Sequence, residues 1–390
     1  MLDKNSVIGV VGSGAMGSGI AQVAATAGHS VIISDTNPEA LQRSKNNLQT
    51  ILTKLAEKQK ISSEDKDKIL ARISFVNDSK KLKDSDLVIE AIIEDLSVKR
   101  SVFSELEKTV KNTCVLATNT SSLSITSIAS ACSDPSRVIG IHFFNPAPLM
   151  PLVEIVPGIA TAKDLTISCR DLVTSWKKTT VVAKDTPGFI VNRVARPFYS
   201  EALRIYEEGI ADIATIDWSV KKAGFKMGPF ELMDLIGHDV NYVVTETVWK
   251  EFYYDPRFKP SLTQKRLLEA GFLGKKAGRG FYDYSPDATA PKPDPDNALA
   301  DRIFSRIFSM LVNEAADALF MNIASAGDID LAMTKGVNYP KGLLTWADEW
   351  GVKKVTDELQ RLYDLYQEDR YRLCPLLKQR AKEGQKLFEG

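Results

Sequence analysis

Short apolar runs punctuated by glycine or acidic residues dominate the first half of the chain. Val7-Ile8-Gly9-Val10-Val11 is continuous and apolar, the pattern of a strand buried on both faces. The loop Gly12-Ser13-Gly14-Ala15-Met16-Gly17 follows at once. Residues 18–27 are small and apolar and predict a helix that stops at Gly28. Residues 31–35 form a second strand with an acidic end, completing a βαβ unit. Further strands are predicted at 87–91, 115–118, 138–144 and 152–156. Leu48, Ile51, Leu52 and Leu55 sit at helical spacing, as do Ile69, Leu70 and Ile73, with a helix start at Ser62-Ser63-Glu64-Asp65 between them. This predicts a helical hairpin after the second strand. Strands alternating with helices predict an α/β, Rossmann-like, doubly wound sheet.

From Thr186 onward the patterning is mostly helical. Residues 285–297 carry Pro286, Pro291, Pro293 and Pro295 and read as a linker. The chain on either side repeats itself: Glu201-Ala202 and Glu314-Ala315, Ile216-Asp217 and Ile329-Asp330, Arg257 and Arg370, and Gly271 and Gly384 all stand 113 residues apart. Coincidence among helical segments is the plain alternative. One register held from Arg193/Arg306 to Gly271/Gly384 favours two tandem all-α copies, the second truncated. The expected domains are 1–185, a sheet domain with a hairpin arm; 186–284, a first helical domain; the linker 285–297; and 298–390, a degenerate second copy.

The 390 residues suit two or three domains. Lys plus Arg and Asp plus Glu are each 50, with no basic block, so no nucleic-acid partner is expected. The four cysteines form no CxxC pair, and the three histidines have no metal-ligand spacing, so neither a disulfide scaffold nor a metal site is expected. No apolar run approaches the roughly 18 residues that cross a bilayer. The first apolar run begins too near Met1 to follow a leader, so the expectation is a cytoplasmic protein with no membrane partner.

Gly12, Gly14 and Gly17 make GxGxxG between a strand and a helix. The first glycine allows the tight turn, the second admits a pyrophosphate to the backbone, and the third lets helix and strand approach. Asp35, 18 residues after Gly17, is placed to accept hydrogen bonds from an adenosine ribose and to repel a 2′-phosphate. NAD is the expected cofactor, with NADP disfavoured and FAD the competing dinucleotide.

His142 follows a strand. Alone it reads as a satisfied core histidine as readily as a catalyst. Glu154 lies inside the apolar run Leu152-Val153-Glu154-Ile155-Val156, where a carboxylate needs a partner unless the strand is an exposed edge. A His142–Glu154 pair answers both puzzles, the carboxylate orienting the ring. Asn119-Thr120-Ser121-Ser122 stands at the carboxyl edge of the sheet, where ligands bind; its plainer reading is a cap for a helix at 123–131. Asn192 lies in an apolar stretch where its amide needs partners. His29 and His238 read as structural.

These residues carry a resemblance. The chain is similar nearly throughout to the NAD-dependent (S)-3-hydroxyacyl-CoA dehydrogenases, in the form with two tandem C-terminal helical domains. The carrying strings are GSGAMGSGIAQ at 12–22, VIEAIIEDLSVK at 88–99, NTSSLSITSIA at 119–129, HFFNPAPLMPLVEIV at 142–156, KDTPGFIVNR at 184–193, MGPFELMDLIG at 227–237 and GKKAGRGFYDY at 274–284.

The resemblance implies an oxidoreductase that interconverts (S)-3-hydroxyacyl-CoA and 3-oxoacyl-CoA with NAD, in β-oxidation or related acyl-CoA metabolism. It implies His142 and Glu154 as the catalytic pair, with Ser121, Asn145 and Asn192 placing the substrate. It implies cofactor contacts at Gly12, Gly14, Ala15, Met16, Gly17, Asp35, Glu94, Lys99 and Asn119. Asn47 and Lys54 on the hairpin are implied to contact coenzyme A, although relatives often carry serine where Asn47 stands. The second copy has Ser305 in the place of Asn192 and lacks the GRGFYDY ending. It is therefore expected to stand in for a dimer partner, giving a monomer with an internal pseudo-dimer, or a homodimer. A separate hydratase or thiolase is an expected partner. Enzymes specific for 3-hydroxybutyryl-CoA or 3-hydroxyadipyl-CoA are the near alternatives, and a non-catalytic, crystallin-like NADH-binding protein the remote one.

Overall fold

Eight short strands make one sheet in the order β3-β2-β1-β4-β5-β6-β7-β8. They are β1 (Ile8–Val11), β2 (Val31–Ser34), β3 (Ile73–Val76), β4 (Leu87–Glu90), β5 (Val115–Thr118), β6 (Val138–Phe143), β7 (Leu152–Pro157) and β8 (Thr179–Val182). The computed structural model describes residues 2–388. It divides into two compact units, Met1–Thr186 and Pro187–Gly390.

In the first unit, α1 (Ala15–Thr26), α2 (Pro38–Glu57), α3 (Ser63–Ala71), α4 (Leu96–Thr109), α5 (Ile125–Ala129) and α6 (Lys163–Ser175) connect the strands. Two buried apolar clusters draw on opposite sets of strand residues. One gathers Ile8, Val10, Ile33 and Ile89 with α1, α2 and α6; the other gathers Val88, Leu116 and Val138 with α4 and α5. The central strands are mostly apolar because helices supply both layers, as parallel sheets require. Strand order reverses direction between β1 and β4, the crevice where such sheets bind ligands.

The structure departs from the sequence-based expectation at four places in this unit. Ile73 opens β3, although Ile69, Leu70 and Ile73 share helical spacing; α3 ends at Ala71 and the chain turns at Arg72. The edge strand β8, Thr-Thr-Val-Val, was not expected, yet its four β-branched residues are strand formers. β6 and β7 pair antiparallel, because residues 144–151 are too few for the crossover that parallel strands need. The cap of α5 is Ser124, whose hydroxyl accepts from the Ser127 N–H, not a residue of 119–122.

The second unit is helical: α7 (Val191–Val194), α8 (Arg196–Glu207), α9 (Ile213–Lys222), α10 (Pro229–Ile236), α11 (His238–Glu251), α12 (Leu262–Glu269), α13 (Asn297–Phe320), α14 (Ala326–Gly336), α15 (Leu343–Trp350), α16 (Val352–Tyr366) and α17 (Pro375–Glu383). Pro197 divides α7 from α8, whereas Met310, 113 residues on, lets α13 run unbroken for 24 residues.

Ion pairs recur reciprocally across this unit. Arg193 binds Glu314 at 2.6 Å, and Arg306, 113 residues after Arg193, binds Glu201, 113 before Glu314, at 2.9 Å. Arg257 joins Glu314 at 3.2 Å and Arg370 joins Glu201 at 2.8 Å. Exchange of this kind, i to j and j to i, is the signature of an isologous contact.

Buried carboxylates also recur. Asp217 accepts from the Phe230 and Glu231 N–H groups, and Asp330 accepts from those of Leu344 and Thr345. The two aspartates stand 113 apart but the amides they bind stand 114 apart, as do Gly228/Gly342 and Gly237/Gly351, so one inserted residue interrupts the 113 register before it returns at Arg257/Arg370. Asp234 holds the amides of Phe281 and Tyr282, and Asp348, 114 on, holds those of Leu387 and Phe388. The clamp therefore persists in the second copy without the GRGFYDY string.

Candidate active site

The glycine loop lies at the carboxyl end of β1. Gly12 has φ +100°, a left-handed conformation that glycine adopts without strain. A Cβ on Gly17 would lie 1.9 Å from the Gly12 carbonyl oxygen, so α1 approaches the strand only because residue 17 is glycine. A Cβ on Gly14 would meet nothing within 4 Å; the protein leaves that side of the backbone open. Ala15 and Met16 open α1, which presents its amide end here.

Asp35 is held at the end of β2 by the Ser13 N–H and hydroxyl at 2.8 and 2.7 Å and by the Asn37 N–H at 3.0 Å. Burial raises its pKa, but these hydrogen bonds outweigh that and hold the carboxyl below its ordinary range. Asp35 and Gly12 line a cleft of about 670 Å³ with Ile92, Ile93 and Val98. An acidic ribose acceptor, an apolar wall and an open glycine backbone fit a dinucleotide.

A buried network lies next to it. Glu90 is fully buried at the end of β4. Its Oε1 accepts from the Ile92 N–H at 2.7 Å and from Lys99 Nζ at 2.6 Å, and its Oε2 accepts from the Thr118 hydroxyl at 2.7 Å. Lys99, also buried, reaches Glu94 Oε2 at 3.3 Å. Glu94 Oε1 in turn accepts from the Thr120 hydroxyl at 2.6 Å, the Ser121 N–H at 2.9 Å and the Ser122 hydroxyl at 3.2 Å. Burial pushes the Glu94 pKa up, but Lys99 and the hydrogen bonds from Thr120 and Ser121 hold it below the usual value. Glu94, Lys99 and Ser121 are thus joined in one chain of contacts. Sequence reasoning missed Glu90, although a carboxylate inside an apolar strand was the very signal that singled out Glu154.

His142 and Glu154 face each other across the β6–β7 ladder, in register. Nδ1 lies 2.7 Å from Glu154 Oε2; the histidine is 5% exposed and the glutamate 0%. Antiparallel pairing places directly opposed side chains on one face, so the register itself makes the pair. With Nδ1 bound to the carboxylate, proton exchange with a ligand falls to Nε2. The Asn119 side-chain oxygen accepts from the Phe143 N–H at 2.8 Å, tying the end of β5 to the residue beside the histidine. Asn145 is exposed on the loop after β6. Lys178, buried, donates to the Ala147 and Met150 carbonyls at 2.5 and 2.8 Å and fixes that loop. Asp185 binds the Ile125 and Thr126 N–H groups and so anchors α5 behind the serine loop.

Asn47 and Lys54 are exposed on α2, two turns apart, with the half-exposed Ile51 between them on the same face. Leu41, Leu48 and Leu52 bury the opposite face. Asn192 belongs to the second unit, in α7. His29 and His238 have structural partners: His29 accepts from Trp176 Nε1 at 2.8 Å, and His238 lies 2.9 Å from Asp234.

Comparison with known proteins agrees with this geometry. Residues 7–186 match the 3-hydroxyacyl-CoA dehydrogenase NAD binding domain. Residues 188–284 and 303–387 match the C-terminal domain of the same family. A 3-hydroxyadipyl-CoA dehydrogenase of Escherichia coli K12 is 38% identical, covering 98% of each chain. The mitochondrial hydroxyacyl-coenzyme A dehydrogenase of Sus scrofa is 43% identical over 70% of this chain and 90% of its own. The crystal structure of a 3-hydroxybutyryl-CoA dehydrogenase from E. coli K12 superposes with a TM-score of 0.92 at 37% identity, covering 98% of this chain and 99% of that one. With two family domains spanning most of its length, and a paired histidine and glutamate on the same sheet as a glycine loop suited to a dinucleotide, the chain belongs to the NAD-dependent 3-hydroxyacyl-CoA dehydrogenase family.

Proposed function

We propose that His142 is the acid–base of this dehydrogenase. In the oxidative direction the C3 hydroxyl of an (S)-3-hydroxyacyl-CoA gives its proton to His142 Nε2, and C3 gives up a hydride. In the reductive direction the ring returns the proton to the oxygen formed at C3. NAD, when bound, supplies the hydride chemistry. Glu154 fixes the ring through Nδ1 and stabilises the imidazolium formed by proton transfer. Ser121, Asn145 and Asn192 hydrogen-bond the reacting oxygen or the thioester, and Asn47 and Lys54 hold the coenzyme A. Asp35 selects NAD over NADP by accepting from the ribose and repelling a 2′-phosphate. The observation that carries this reading is the buried 2.7 Å contact between His142 and Glu154.

The test is turnover of NADH with 3-oxoacyl-CoAs by wild type and His142→Ala. The work of the protein is orientation and charge, so loss of the base costs about 10²–10⁴ in kcat, with NADH still bound.

The duplicated unit serves as an internal dimer partner, and the chain acts as a monomer. The exchanged ion pairs Arg193–Glu314 and Arg306–Glu201 support this. Light scattering at micromolar concentration tests it. For acyl choice, the two E. coli proteins similar along the whole chain are named for 3-hydroxyadipyl-CoA and for 3-hydroxybutyryl-CoA, and both acyl groups are candidate substrates. The compartment is the cytoplasm; four free, buried thiols suit reducing surroundings, whereas the pig relative is mitochondrial by name. No helix among the described residues is long and apolar enough to cross a membrane. A hydratase or thiolase supplies the substrate or consumes the product.

A further inference from the structure

Arg196 differs from every other buried arginine among the described residues. Arg137, Arg193, Arg306 and Arg370, each at most 9% exposed, pair with Glu107, Glu314, Glu201 and Glu201 respectively. Arg196 is 5% exposed, and no carboxylate among the described residues lies within ion-pair distance of it. Nη1 donates to the Thr245 hydroxyl at 3.0 Å, the guanidinium lies over the Tyr199 ring at 4.9 Å, and Nε has no partner. One turn on, the Ser200 hydroxyl is also buried and without a partner. A buried charge without a counter-charge is costly, and native proteins keep one where something else supplies the opposite charge.

Arg196 and Ser200 line a cavity of about 320 Å³ between α8, α11 and the start of α12. Its wall carries Lys259 and Arg204, the latter 3.6 Å from Glu368, with Leu203, Pro260 and Leu262 as a surface for a carbon chain. The one acidic wall residue, Glu207, accepts from the Ser261 hydroxyl at 2.5 Å. Arginine is the side chain suited to planar, two-pronged recognition of a carboxylate.

We propose that this cavity binds the carboxylate end of a short aliphatic acid, with Arg196 and Ser200 as its donors. Two sources share that chemistry. One is the ω-carboxylate of a dicarboxylyl-CoA substrate, for which Arg196 lies four residues after Asn192; this arm rests on the function proposed above. The other is a free dicarboxylic acid acting as an effector.

The experiment titrates the full-length wild-type protein with adipate and, as neutral control, 1,6-hexanediol, by calorimetry. Saturable adipate binding with none for the diol is expected. Arg196→Met should weaken adipate about ten- to a hundredfold, the worth of a charge-assisted hydrogen bond. Ser200→Ala, a smaller change, should weaken it severalfold if the arginine variant does not fold. In parallel, kcat/KM is measured for 3-oxoadipyl-CoA and 3-oxohexanoyl-CoA. A fall of about tenfold or more in their ratio in Arg196→Met or Ser200→Ala identifies the substrate tail as the source. An unchanged ratio with adipate binding weakened identifies a free acid. Absence of adipate binding to wild type together with an unchanged ratio in both variants overturns the proposal. The calorimetric arm does not depend on dehydrogenase activity, so it stands or falls separately from the proposed reaction.

Discussion

Two glycines three residues apart should fail in opposite ways when each becomes alanine. A Cβ on Gly17 would come within 1.9 Å of the Gly12 carbonyl oxygen and 3.3 Å of a Val10 methyl. That overlap, more than about 1 Å inside normal contact, is with backbone on one side, so the strand and helix must separate. Overpacking of this kind costs about 1–3 kcal/mol, or roughly 2–4 °C of Tm per kcal/mol in a unit of this size. A Cβ on Gly14 meets no protein atom within 4 Å, and the residue has φ −64°, open to any side chain. Stability should therefore stay within about 0.5 kcal/mol, the small loss at a helix cap offsetting the gain from a stiffer unfolded chain. Its methyl, however, stands where a pyrophosphate must approach. A clash of about 1–3 kcal/mol confined to the complex raises the NADH Kd about 5- to 150-fold. Thermal unfolding and NADH fluorescence titration on both variants decide the matter. Gly17→Ala as stable as wild type, or Gly14→Ala binding NADH normally, would refute the reasoning.

Other substitutions probe the rest of the site. Glu154→Gln keeps the hydrogen-bond geometry but removes the charge; at an effective dielectric near 20, an attraction of about 4 kcal/mol at 4 Å is lost. Pre-steady-state rates should fall by about 10²–10³ with NADH affinity held, and a fall of less than fivefold would count against the pair. Glu90→Gln should loosen Lys99 from the Glu94 loop and raise KM for the acyl-CoA more than it lowers kcat, while Glu90→Leu unfolds more readily because it leaves the donors of Thr118 and Ile92 unmet. Equal effects of the two on KM would mean a structural role alone. Asp217 is raised from 3.8 to about 7, burial outweighing hydrogen bonds from Phe230, Tyr282 and Glu231. The folded form therefore holds this proton more tightly than the unfolded chain does, so its contribution is full below about pH 4 and lost as pH rises to 7, up to about 4 kcal/mol. Urea unfolding of Asp217→Asn against wild type at pH 5 and 8 should show a pH-dependent difference; a constant one would contradict the assignment.

Much of this was legible in residue order because the chemistry is local to strand ends. The glycine loop, Asp35 and the alternation of strands and helices needed only spacing. The His142–Glu154 pair was legible for a different reason: each residue is anomalous where it stands; the antiparallel pairing that joins them is set by the short loop and came only from the structure. What escaped was set by tertiary context. Ile73 has helical spacing but pairs with Val31. Glu90 differs from Glu154 only in that its partners, Lys99 and Thr118, carry no motif of their own. The single-residue insertion at Gly228/Gly342 is invisible in matches that lie on either side of it. Arg196, in an apolar helix start, gives no hint in sequence that its counter-charge is missing.

The most direct measurement is the rate of NADH oxidation with 3-oxoacyl-CoAs by wild type and by His142→Ala, with NADH binding followed on the same samples. The account predicts turnover by wild type and a kcat lower by about 10²–10⁴ in the variant, both proteins binding NADH alike. A variant within fivefold of wild type, or a wild type that binds NADH yet turns over no 3-oxoacyl-CoA, would contradict it.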